Sequence, residues 1–477
     1  MSLSPSFRDP HGCCFAFGGR ILRTVNAEGL AALESFLTTK AARQFLDWGN
    51  LVPSRRLGAA EVQELKSHAT LDRFLGAGKV AAIFEHERVP FASYATEWPA
   101  EMLDTAATLT LDLAEHCLAE GWGLKDATPH NVLFHGGKPV FIDLLSFERR
   151  RPGDALWRPH AQFCRTFLLP LLSHKHWGLR PNEVFATHRD GLEPAEVYRL
   201  CGPVRRWLPP FLTQATLPTW LGRRGGDAAT YRERLLPDAE KAQFILQSLF
   251  RGLRRTLKRA RPSAAQATTW SDYMESHSYS DANFVAKEDF VRQALRERPS
   301  RRVLDIGANT GHFSQLAAES GASVVAIDLD AGCVGRLWQR AQARRLDILP
   351  LVVDLARPSP AQGWRNRECR SFLERATGGF DAVLMLAVLH HLLVTKRIPL
   401  LEVLDQAAEL TTGTLVIEYV GPQDPMFQAL TRGREHLHAD FNQAVFEQAC
   451  GRRFRILRQT RLPGAERALY FCERRAG

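Results

Sequence analysis

Apolar and polar positions in the second half of the chain follow two alternating patterns. Stretches with helical spacing of apolar residues stand between short apolar runs, and this alternation predicts a parallel sheet covered by helices on both faces. The predicted strands are 302–306, 323–327, 348–353, 382–386 and 414–417, and the clearest predicted helices are 311–319 and 333–344. Residues 454–458 and 467–472 flank a Pro-Gly pair with no helix between them, which predicts a hairpin at the sheet edge.

The composition changes sharply near residue 262. A basic segment at 251–261 is followed by small and polar residues at 262–269, a pattern typical of a helix end and a linker. We therefore expect one domain over residues 1–265 and a second over 266–477. The basic segment could contact nucleic acid or anionic lipid, but a charge run is more often the solvated face of a helix, so nucleic acid is not favoured.

Composition excludes several other classes of protein. The 477 residues are 45% hydrophobic, which is too apolar for a disordered chain and enough for two or three cores. No apolar run approaches the ~18 residues of a membrane span, and Arg8 and Asp9 interrupt any secretion signal. Nine scattered cysteines without a C-x-x-C pair indicate a reducing cytoplasm rather than disulfides or structural zinc. The net charge of +10 permits an anionic partner without requiring one.

The loop after the first of these strands has the composition of a ligand-binding turn. Gly307 and Gly311 let the backbone turn sharply and approach a ligand closely, and the following helix offers unpaired N–H groups. The loop is not G-x-G-x-x-G, because Asn309 and His312 occupy the second and third glycine positions. Asp305 would repel a pyrophosphate, so the loop favours a ligand with a cationic amino group. A NAD-binding domain with an altered loop is the alternative.

Two further carboxylates end the next two predicted strands. Asp328 can accept hydrogen bonds from both hydroxyls of a ribose, and Asp354 can accept one from an adenine amino group. In an open α/β sheet, ligands bind beyond the carboxyl ends of the strands. The sequence therefore predicts that these acids share one pocket with the glycine-containing loop.

These features together resemble the class I S-adenosylmethionine-dependent methyltransferases over about residues 270–477. The resemblance implies a Rossmann-like, seven-stranded sheet with a reversed terminal hairpin, and S-adenosylmethionine as cofactor. In this family the segment that contains Tyr273, Tyr279 and Lys287 would fold over the cofactor, or it would be a plain capping helix. The implied cofactor-binding residues are Asp305, Gly307 and Gly311 for the methionine part, Asp328 for the ribose, Asp354 and Leu355 beside the adenine, and in addition Asn309, Leu329 and Leu386.

Three residues are candidate bases for methyl transfer. The sulfonium already activates the methyl group, so the enzyme mainly aligns the acceptor, although an oxygen or nitrogen acceptor can require removal of a proton. His390 and His391 follow the fourth strand, and Glu418 follows the fifth. The histidine pair could instead line the cofactor pocket, and Glu418 could be a simple strand-end carboxylate.

A second group of polar residues lies in the first half of the chain. Two glycines at 136–137 predict a hairpin turn that brings Asn131 and Asp143 to the same end of two paired strands. Asp126 lies in the loop just before this hairpin. An Asp, an Asn and an Asp arranged in this way could hold Mg²⁺ and position a hydroxyl for phosphoryl transfer.

This group resembles the catalytic loop and metal-binding turn of protein kinases and of aminoglycoside- or choline-type kinases. The resemblance covers about residues 12–260 and implies an α+β, kinase-like domain with possible Mg-ATP binding. Asp126 would match the catalytic aspartate, and Asn131 and Asp143 would match the metal ligands.

The kinase resemblance has clear departures. Leu124 stands where kinases have histidine, and Leu144 stands where they have phenylalanine. The nearest candidates for the nucleotide-pairing lysine are Arg20 and Arg23, and Glu34 could pair with one of them. The domain could therefore be an active phosphotransferase, or a degenerate one that only binds.

Nearly the whole chain also resembles bacterial methyltransferases of the nodulation host-specificity type. These proteins couple the Leu-Lys-Asp-Ala-Thr-Pro segment at 124–129 to the Asp-Ile-Gly-Ala-Asn-Thr-Gly loop at 305–311. The resemblance implies a small-molecule or glycoconjugate acceptor. The leading hypothesis is an S-adenosylmethionine-dependent methyltransferase, and the alternatives are a bifunctional methyltransferase and phosphotransferase or a nucleic-acid-binding methyltransferase.

Overall fold

A computed structural model describes residues 6–76, 79–223, 235–262 and 281–475. Contacts group residues 1–96 and 100–263 into a first unit, and residues 97–99 and 264–477 into a second. The expected domain boundary near residue 265 lies outside the described residues, as do Tyr273 and Tyr279. Within the described part of the chain, no helix has both the length and the apolar character needed to cross a membrane.

The first unit begins with a four-stranded antiparallel sheet and four helices. The sheet has the strand order β1-β2-β4-β3. Phe15, Leu22 and Ile83 of this sheet pack against Leu65 and Leu75 of the helices, which closes a small apolar core. The elements are β1 (Gly12–Phe17), β2 (Arg20–Val25), α1 (Ala27–Leu37), α2 (Lys40–Asp47), β3 (Ser54–Arg56), α3 (Ala59–Lys66), α4 (Ala69–Gly76) and β4 (Ala82–His86).

The rest of the first unit is mainly helical and contains the predicted hairpin. The hairpin strands pair antiparallel and bring His135 opposite Lys138, so the turn falls at the two glycines as predicted. The elements are α5 (Ala100–Ala119), β5 (Trp122–Leu124), β6 (Val132–His135), β7 (Lys138–Phe141), β8 (Phe147–Arg149), α6 (His160–Phe163), α7 (Leu169–Trp177), α8 (Pro181–Thr187), α9 (Pro194–Leu200), α10 (Leu217–Arg223) and α11 (Ala239–Ala260).

The basic segment forms the last turns of α11. Arg254 of this helix makes ion pairs with Glu115, at 2.8 Å, and with an aspartate on the same neighbouring helix. Just beyond the helix, Arg261 pairs with Asp104 at 3.3 Å. Part of the positive charge is therefore neutralised within the first unit, as expected for the solvated face of a packed helix.

The second unit is a seven-stranded sheet with helices on its faces, which confirms the predicted Rossmann-like architecture. The strand order is β11-β10-β9-β12-β13-β15-β14. The first five strands are parallel, whereas β15 runs antiparallel to both of its neighbours. The strands are β9 (Arg302–Ile306), β10 (Ser323–Asp328), β11 (Ile348–Val352), β12 (Phe380–Met385), β13 (Thr411–Val420), β14 (Phe454–Arg461) and β15 (Arg467–Arg474).

Helices cover both faces of this sheet, so its central strands are buried on both sides. Leu304 of β9 and Leu384 of β12 have no exposed surface, which explains why these strands are continuous apolar runs. Strand β13 extends beyond the predicted 414–417 because its pairing with β15 continues as far as Val420. The helices are α12 (Asp281–Glu297), α13 (His312–Glu319), α14 (Ala331–Arg344), α15 (Phe372–Ala376), α16 (Leu400–Leu410), α17 (Pro425–Thr431) and α18 (Gln443–Cys450).

Strand β14 is the outer strand on one side of the sheet. Its pairing with β15 is interrupted by a register shift between Ile456 and Arg458. Arg455 and Arg461 on the same strand are exposed. The predicted hairpin is therefore present, and it places the reversed strand inside the sheet and the charged strand at its edge.

Candidate functional site

A cavity of about 410 Å³ lies at the carboxyl ends of β9, β10, β11 and β12. Its wall is formed by the loop at 305–310, by the ends of the next two strands at 327–329 and 353–355, by residues from 386 to 396 after β12, and by α12 and the start of α13. This edge is where ligands bind in an open α/β sheet.

Two glycines of the loop have backbone conformations that other residues adopt with strain. Gly307 has φ +71° and lines the cavity, and a Cβ atom there would lie 2.2 Å from Cγ2 of Val388. Gly311 has φ +83°, and its Cβ would lie 2.1 Å from Cδ1 of Leu337. Gly311 is not among the residues that line the cavity, and its close approach to Leu337 packs the loop against α14.

Asn309 joins the loop to the end of the second strand. Its backbone N–H donates to Oδ2 of Asp328 at 2.8 Å, and its own Oδ1 accepts from the N–H of Thr310 at 2.6 Å. Asn309 has φ +51°, a left-handed conformation that asparagine tolerates better than most residues. The other carboxylate oxygen of Asp328 accepts from the N–H of Asp330 at 2.9 Å. These bonds fix one carboxylate at the cavity wall.

The cavity contains two acids, Asp305 and Asp328, whose pKa values are both raised. Asp305 is only 2% exposed, and its carboxylate accepts from the hydroxyl of Ser314 at 2.6 Å. Burial raises the pKa of Asp305 to about 6, and the negative charge of Asp328 adds to this shift. Burial also raises the pKa of Asp328, despite its backbone hydrogen bonds. A cation bound beside both carboxylates would relieve this repulsion.

Asp354 lies two residues beyond the end of β11 and has a cationic partner. Lys396 Nζ lies 2.7 Å from Oδ2 of Asp354, and the N–H of Ala356 donates to the other oxygen at 3.0 Å. Burial alone would raise the pKa of Asp354, but these partners outweigh it and hold the pKa below its usual value. Sequence patterns did not indicate Lys396, because it follows Asp354 by forty-two positions and belongs to no motif.

The remaining predicted cofactor residues also reach this cavity. Ala387 and Val388, which the sequence did not single out, complete the wall on this side. Ala387 has φ +55°, and a left-handed alanine is a strained residue of the kind found at functional sites. The predicted apolar residues that line the cavity are Leu329, Leu355 and Leu386.

Lys287 and Phe313 line the side of the cavity formed by α12 and α13. The Lys287 ammonium group lies 5.5 Å from the centre of the Phe313 ring and 2.7 Å from Oε2 of Glu418. Lys287 is thus a buried cation whose position is fixed by a carboxylate behind the wall.

Glu418 does not occupy the position expected of a catalytic base. It is fully buried, pairs with Lys287 at 2.7 Å and with Arg467 at 3.4 Å, and is absent from the cavity wall. Arg467 in turn makes two hydrogen bonds to Asp424, at 2.6 and 3.0 Å. Glu418 is thus held by two cations away from the cavity lining, and the structure does not place it beside an acceptor bound in the cavity.

The two histidines after β12 have different surroundings. His391 lines the cavity, whereas His390 is 1% exposed and lies behind the wall. Their ring centres are 4.3 Å apart. Burial lowers the pKa of both histidines, that of His390 to about 3, where the charges of His391 and Lys287 add to the effect. Both imidazoles are therefore neutral near pH 7, and only His391 faces the cavity.

The hairpin of the first unit brings Asn131 and Asp143 together through a serine. The Asn131 amide donates to the hydroxyl of Ser146 at 3.3 Å, and that hydroxyl donates to Oδ2 of Asp143 at 2.6 Å. The buried guanidinium of Arg23 lies 3.1 Å from the other carboxylate oxygen and also donates to His86 at 3.0 Å. Both carboxylate oxygens of Asp143 therefore already have a partner within the first unit. Within the described ranges, no three His, Cys, Asp or Glu residues form a potential metal site.

The other kinase-like candidates have separate partners. Asp126 is exposed and accepts from the Gln162 amide at 3.3 Å. Arg20 pairs with Glu85 at 2.7 Å. The expectation that Glu34 pairs with Arg20 or Arg23 is wrong, because Glu34 pairs with Arg56 of β3 at 2.8 Å.

Comparisons with known proteins find a methyltransferase domain and a relative that spans nearly the whole chain. A family model described as a methyltransferase domain matches residues 279–456. The nodulation protein NoeA of Rhizobium meliloti (strain 1021) is 32% identical over 98% of this chain and 95% of its own length. The ubiquinone biosynthesis O-methyltransferase of Alkalilimnicola ehrlichii is 28% identical over 28% of this chain and 47% of its own length. The crystal structure of the N-methyltransferase NodS from Bradyrhizobium japonicum WM9 is 16% identical, covers 41% of this chain and 99% of NodS, and gives a TM-score of 0.31.

The sheet, its cavity and the matched methyltransferase domain define the protein as an S-adenosylmethionine-dependent methyltransferase. With 32% identity along almost the full length of both chains, it belongs to the family of the nodulation protein NoeA.

Proposed function

We propose that the cavity at the strand ends binds S-adenosylmethionine and that each wall residue serves one part of it. The cofactor is a cation at both its sulfonium and its amino group, which suits a cavity with two repelling carboxylates. Asp305 and the Gly307 loop would hold the methionine part, and Asp328 would accept the ribose hydroxyls. Asp354, already neutralised by Lys396, would border the adenine together with the apolar residues beside it.

Lys287 would also contribute to cofactor binding. Its ammonium group is buried at the cavity wall and lies between Glu418 and the ring of Phe313. The methionine part of the cofactor ends in a carboxylate as well as an ammonium group. We expect Lys287 to attract that carboxylate, while Asp305 attracts the ammonium group.

We further propose that His391 accepts the proton of an oxygen or nitrogen acceptor. The observation that supports this role is its place on the cavity wall as a neutral imidazole. When bound, the cofactor supplies an activated methyl group, so the protein's task is to align the acceptor and to remove its proton. His390, packed 4.3 Å behind His391, would hold that ring in place. The acceptor would be a small molecule or a glycoconjugate.

Calorimetric titration of the full-length protein with S-adenosylmethionine and S-adenosylhomocysteine tests the cofactor site. We expect saturable binding of one molecule of each per chain. Absence of binding by the folded protein would contradict the assignment of the cavity. A second arm uses radiolabelled S-adenosylmethionine with metabolite extracts as the source of acceptor. The His391→Phe variant should bind the cofactor normally but transfer far less label.

For the first unit, we propose a kinase-like fold that does not transfer phosphate as it stands. In kinases, a lysine near the phosphates and two metal-binding side chains cooperate on Mg-ATP. Here the guanidinium of Arg23, on the strand that directly precedes α1, already pairs with Asp143. The alternative is a bifunctional enzyme, and titration with Mg-ATP distinguishes the two. We expect no binding, and micromolar binding with phosphate transfer would favour the bifunctional enzyme.

A further inference from the structure

A second cavity of about 360 Å³ lies in the methyltransferase unit. One wall comes from residues 393–400, which follow β12, and the other comes from residues 430–441, which follow β13. Both segments leave the carboxyl ends of parallel strands, so this cavity is on the same edge of the sheet as the cofactor cavity. We refer to it as the outer cavity.

The outer cavity shares one helical turn with the cofactor cavity. The turn at His391–Thr395 is a π-helical turn, a widened form that occurs often at functional sites. His391 and Leu392 from this turn line the cofactor cavity, whereas Leu393 and Val394 line the outer cavity. His391, the residue proposed to take the acceptor's proton, therefore lies on the same helical turn as two residues that line the outer cavity.

The lining of the outer cavity is apolar, with two cations. Eight of its thirteen lining residues are apolar. The charged lining residues are Arg397, Arg434 and Asp440, and burial lowers the pKa of His438, which keeps that residue neutral near pH 7. Two guanidinium groups against one carboxylate leave the cavity with a net positive charge.

Arg397 and Arg434 are both exposed to solvent at the cavity. Across the ranges that the structure describes, neither guanidinium makes a hydrogen bond or ion pair with another residue. Arg397 also has φ +56°, a left-handed conformation that is strained for a non-glycine residue. Strain of this kind persists where the surrounding structure holds a residue in a functional position.

We propose that the outer cavity binds the part of the methyl acceptor remote from the reacting atom, and that this part is apolar and carries an anionic carboxylate or phosphate. The proposal rests on the methyltransferase function proposed above and names the acceptor class for that site. The apolar walls remove the body of the acceptor from water, and Arg397 and Arg434 pair with its anion. The volume matches small ligand sites, which begin at about 300 Å³.

The test uses simple probes that share one alkyl chain and differ only in their head groups. Dodecanoate, dodecyl phosphate, dodecanol and dodecyltrimethylammonium are titrated into the full-length protein by calorimetry, below their micellar concentrations. We expect one of the two anions to bind at least tenfold more tightly than the alcohol and the ammonium compound. The stronger anion identifies carboxylate or phosphate as the preferred group. Equal binding of all four probes, or no binding of either anion, overturns the proposal.

Variants assign the binding to this cavity. The double variant Arg397→Gln, Arg434→Gln should weaken anion binding at least tenfold and change dodecanol binding less than twofold. Leu430→Trp, which fills the apolar part, should weaken all chain-containing probes. The matched control is Arg432→Gln, Arg452→Gln, which removes the same charge from exposed positions outside the lining. Equal loss in this control would show that only the overall charge matters, and would contradict the proposal.

Titration of the same variants with S-adenosylhomocysteine separates this proposal from the proposed function. We expect the Arg397→Gln, Arg434→Gln protein to bind that cofactor product like the parent chain. If the parent binds it and ignores the anionic probes, only the outer-cavity proposal fails. If the parent binds neither, the cofactor assignment itself fails.

Discussion

At the scale of single residues, the proposed cofactor site depends on two carboxylates in similar electrostatic surroundings, those of Asp305 and Asp328. Burial raises the pKa of both Asp305 and Asp328, and the negative charge of Asp328 raises that of Asp305 further. Their hydrogen-bond partners differ. The carboxylate of Asp305 accepts from the hydroxyl of Ser314, whereas the carboxylate of Asp328 accepts from two backbone N–H groups. Substitutions at these positions should therefore have separable effects.

Replacement of Asp328 by alanine should weaken cofactor binding at least tenfold. Hydrogen bonds from ribose hydroxyls to a charged group are worth about 1.5–3 kcal/mol, and about 1.4 kcal/mol corresponds to a factor of ten. Calorimetry with S-adenosylhomocysteine measures the loss, and circular dichroism checks that the variant is folded. Because Asp328 also accepts from Asn309, the Asp328→Asn variant serves as a milder control. Unchanged affinity in a folded alanine variant would contradict the ribose assignment.

Cofactor affinity should increase as the pH rises from 5 to 7. Asp305, whose pKa is about 6, is protonated below that pH and ionised above it, and the cationic cofactor binds the ionised form. Rising pH has the opposite effect on the folding stability of the protein without cofactor. The unfolded chain loses this proton at a lower pH, so the contribution of Asp305 to stability declines as pH rises from about 4 to 6. The Asp305→Asn variant should show a flatter affinity profile, and a profile as steep as the parent's would rule out Asp305 as the cause.

At the scale of elements, the glycine at the start of α13 should be more sensitive than the glycine at its end. Both Gly311 and Gly321 have positive φ, but only Gly311 has a neighbour where a Cβ would lie. We expect Gly321→Ala to cost about 1 kcal/mol from backbone strain alone. Gly311→Ala should cost clearly more, because Leu337 must move. Urea unfolding of both variants measures the difference, and equal losses would contradict the packing role.

The ion pair between α12 and β13 should contribute strongly to stability. Lys287→Met leaves the buried Glu418 with one fewer cation, and breaking such a pair typically costs about 3–5 kcal/mol. The matched control is Arg298→Met, which breaks an exposed pair with Glu473 at 3.0 Å and should cost less than about 1 kcal/mol. Chemical unfolding without cofactor provides both values. Similar small losses would show that the buried pair is dispensable.

The ends of the first three strands of the second unit could be predicted well, because apolar residues are followed there by an acidic residue. Asp328 and Asp354 each follow an apolar run, and Asp305 comes just before the glycine-containing loop, so their common edge could be inferred from the parallel arrangement. Lys396 and the π-helical turn before it could not be inferred, because they depend on how the segment after β12 folds back. Glu418 has the sequence signature of a site residue, and only three-dimensional structure shows its two cationic partners.

At the scale of the whole molecule, each of the two units has its own sheet. The side-chain partners in the first unit were harder to predict from the sequence than the site residues of the second unit. The glycine pair defined the hairpin, and Asn131 and Asp143 do share Ser146. The partners of Arg23 and Glu34 could not be predicted, because they depend on the order of strands in a sheet whose connections contain helices.

Replacement of Asp143 by alanine should leave cofactor binding within twofold of the parent. The lining residues that the structure describes for the cofactor cavity all lie between Phe284 and Lys396, in the second unit. Calorimetry with S-adenosylhomocysteine and labelled methyl transfer are the measurements. A folded Asp143→Ala protein that binds cofactor but no longer transfers methyl groups would show that the first unit takes part in the reaction.

The charged outer strand β14 has a consequence for encounters between copies of this protein. An open strand edge has backbone groups that can pair with a strand of another chain and start aggregation. The break in register at Ile456 and Arg458 distorts this edge, and the guanidinium groups of Arg455 and Arg461 must lose water before another strand can dock. The same strand that completes the sheet thus discourages its growth into fibrous assemblies.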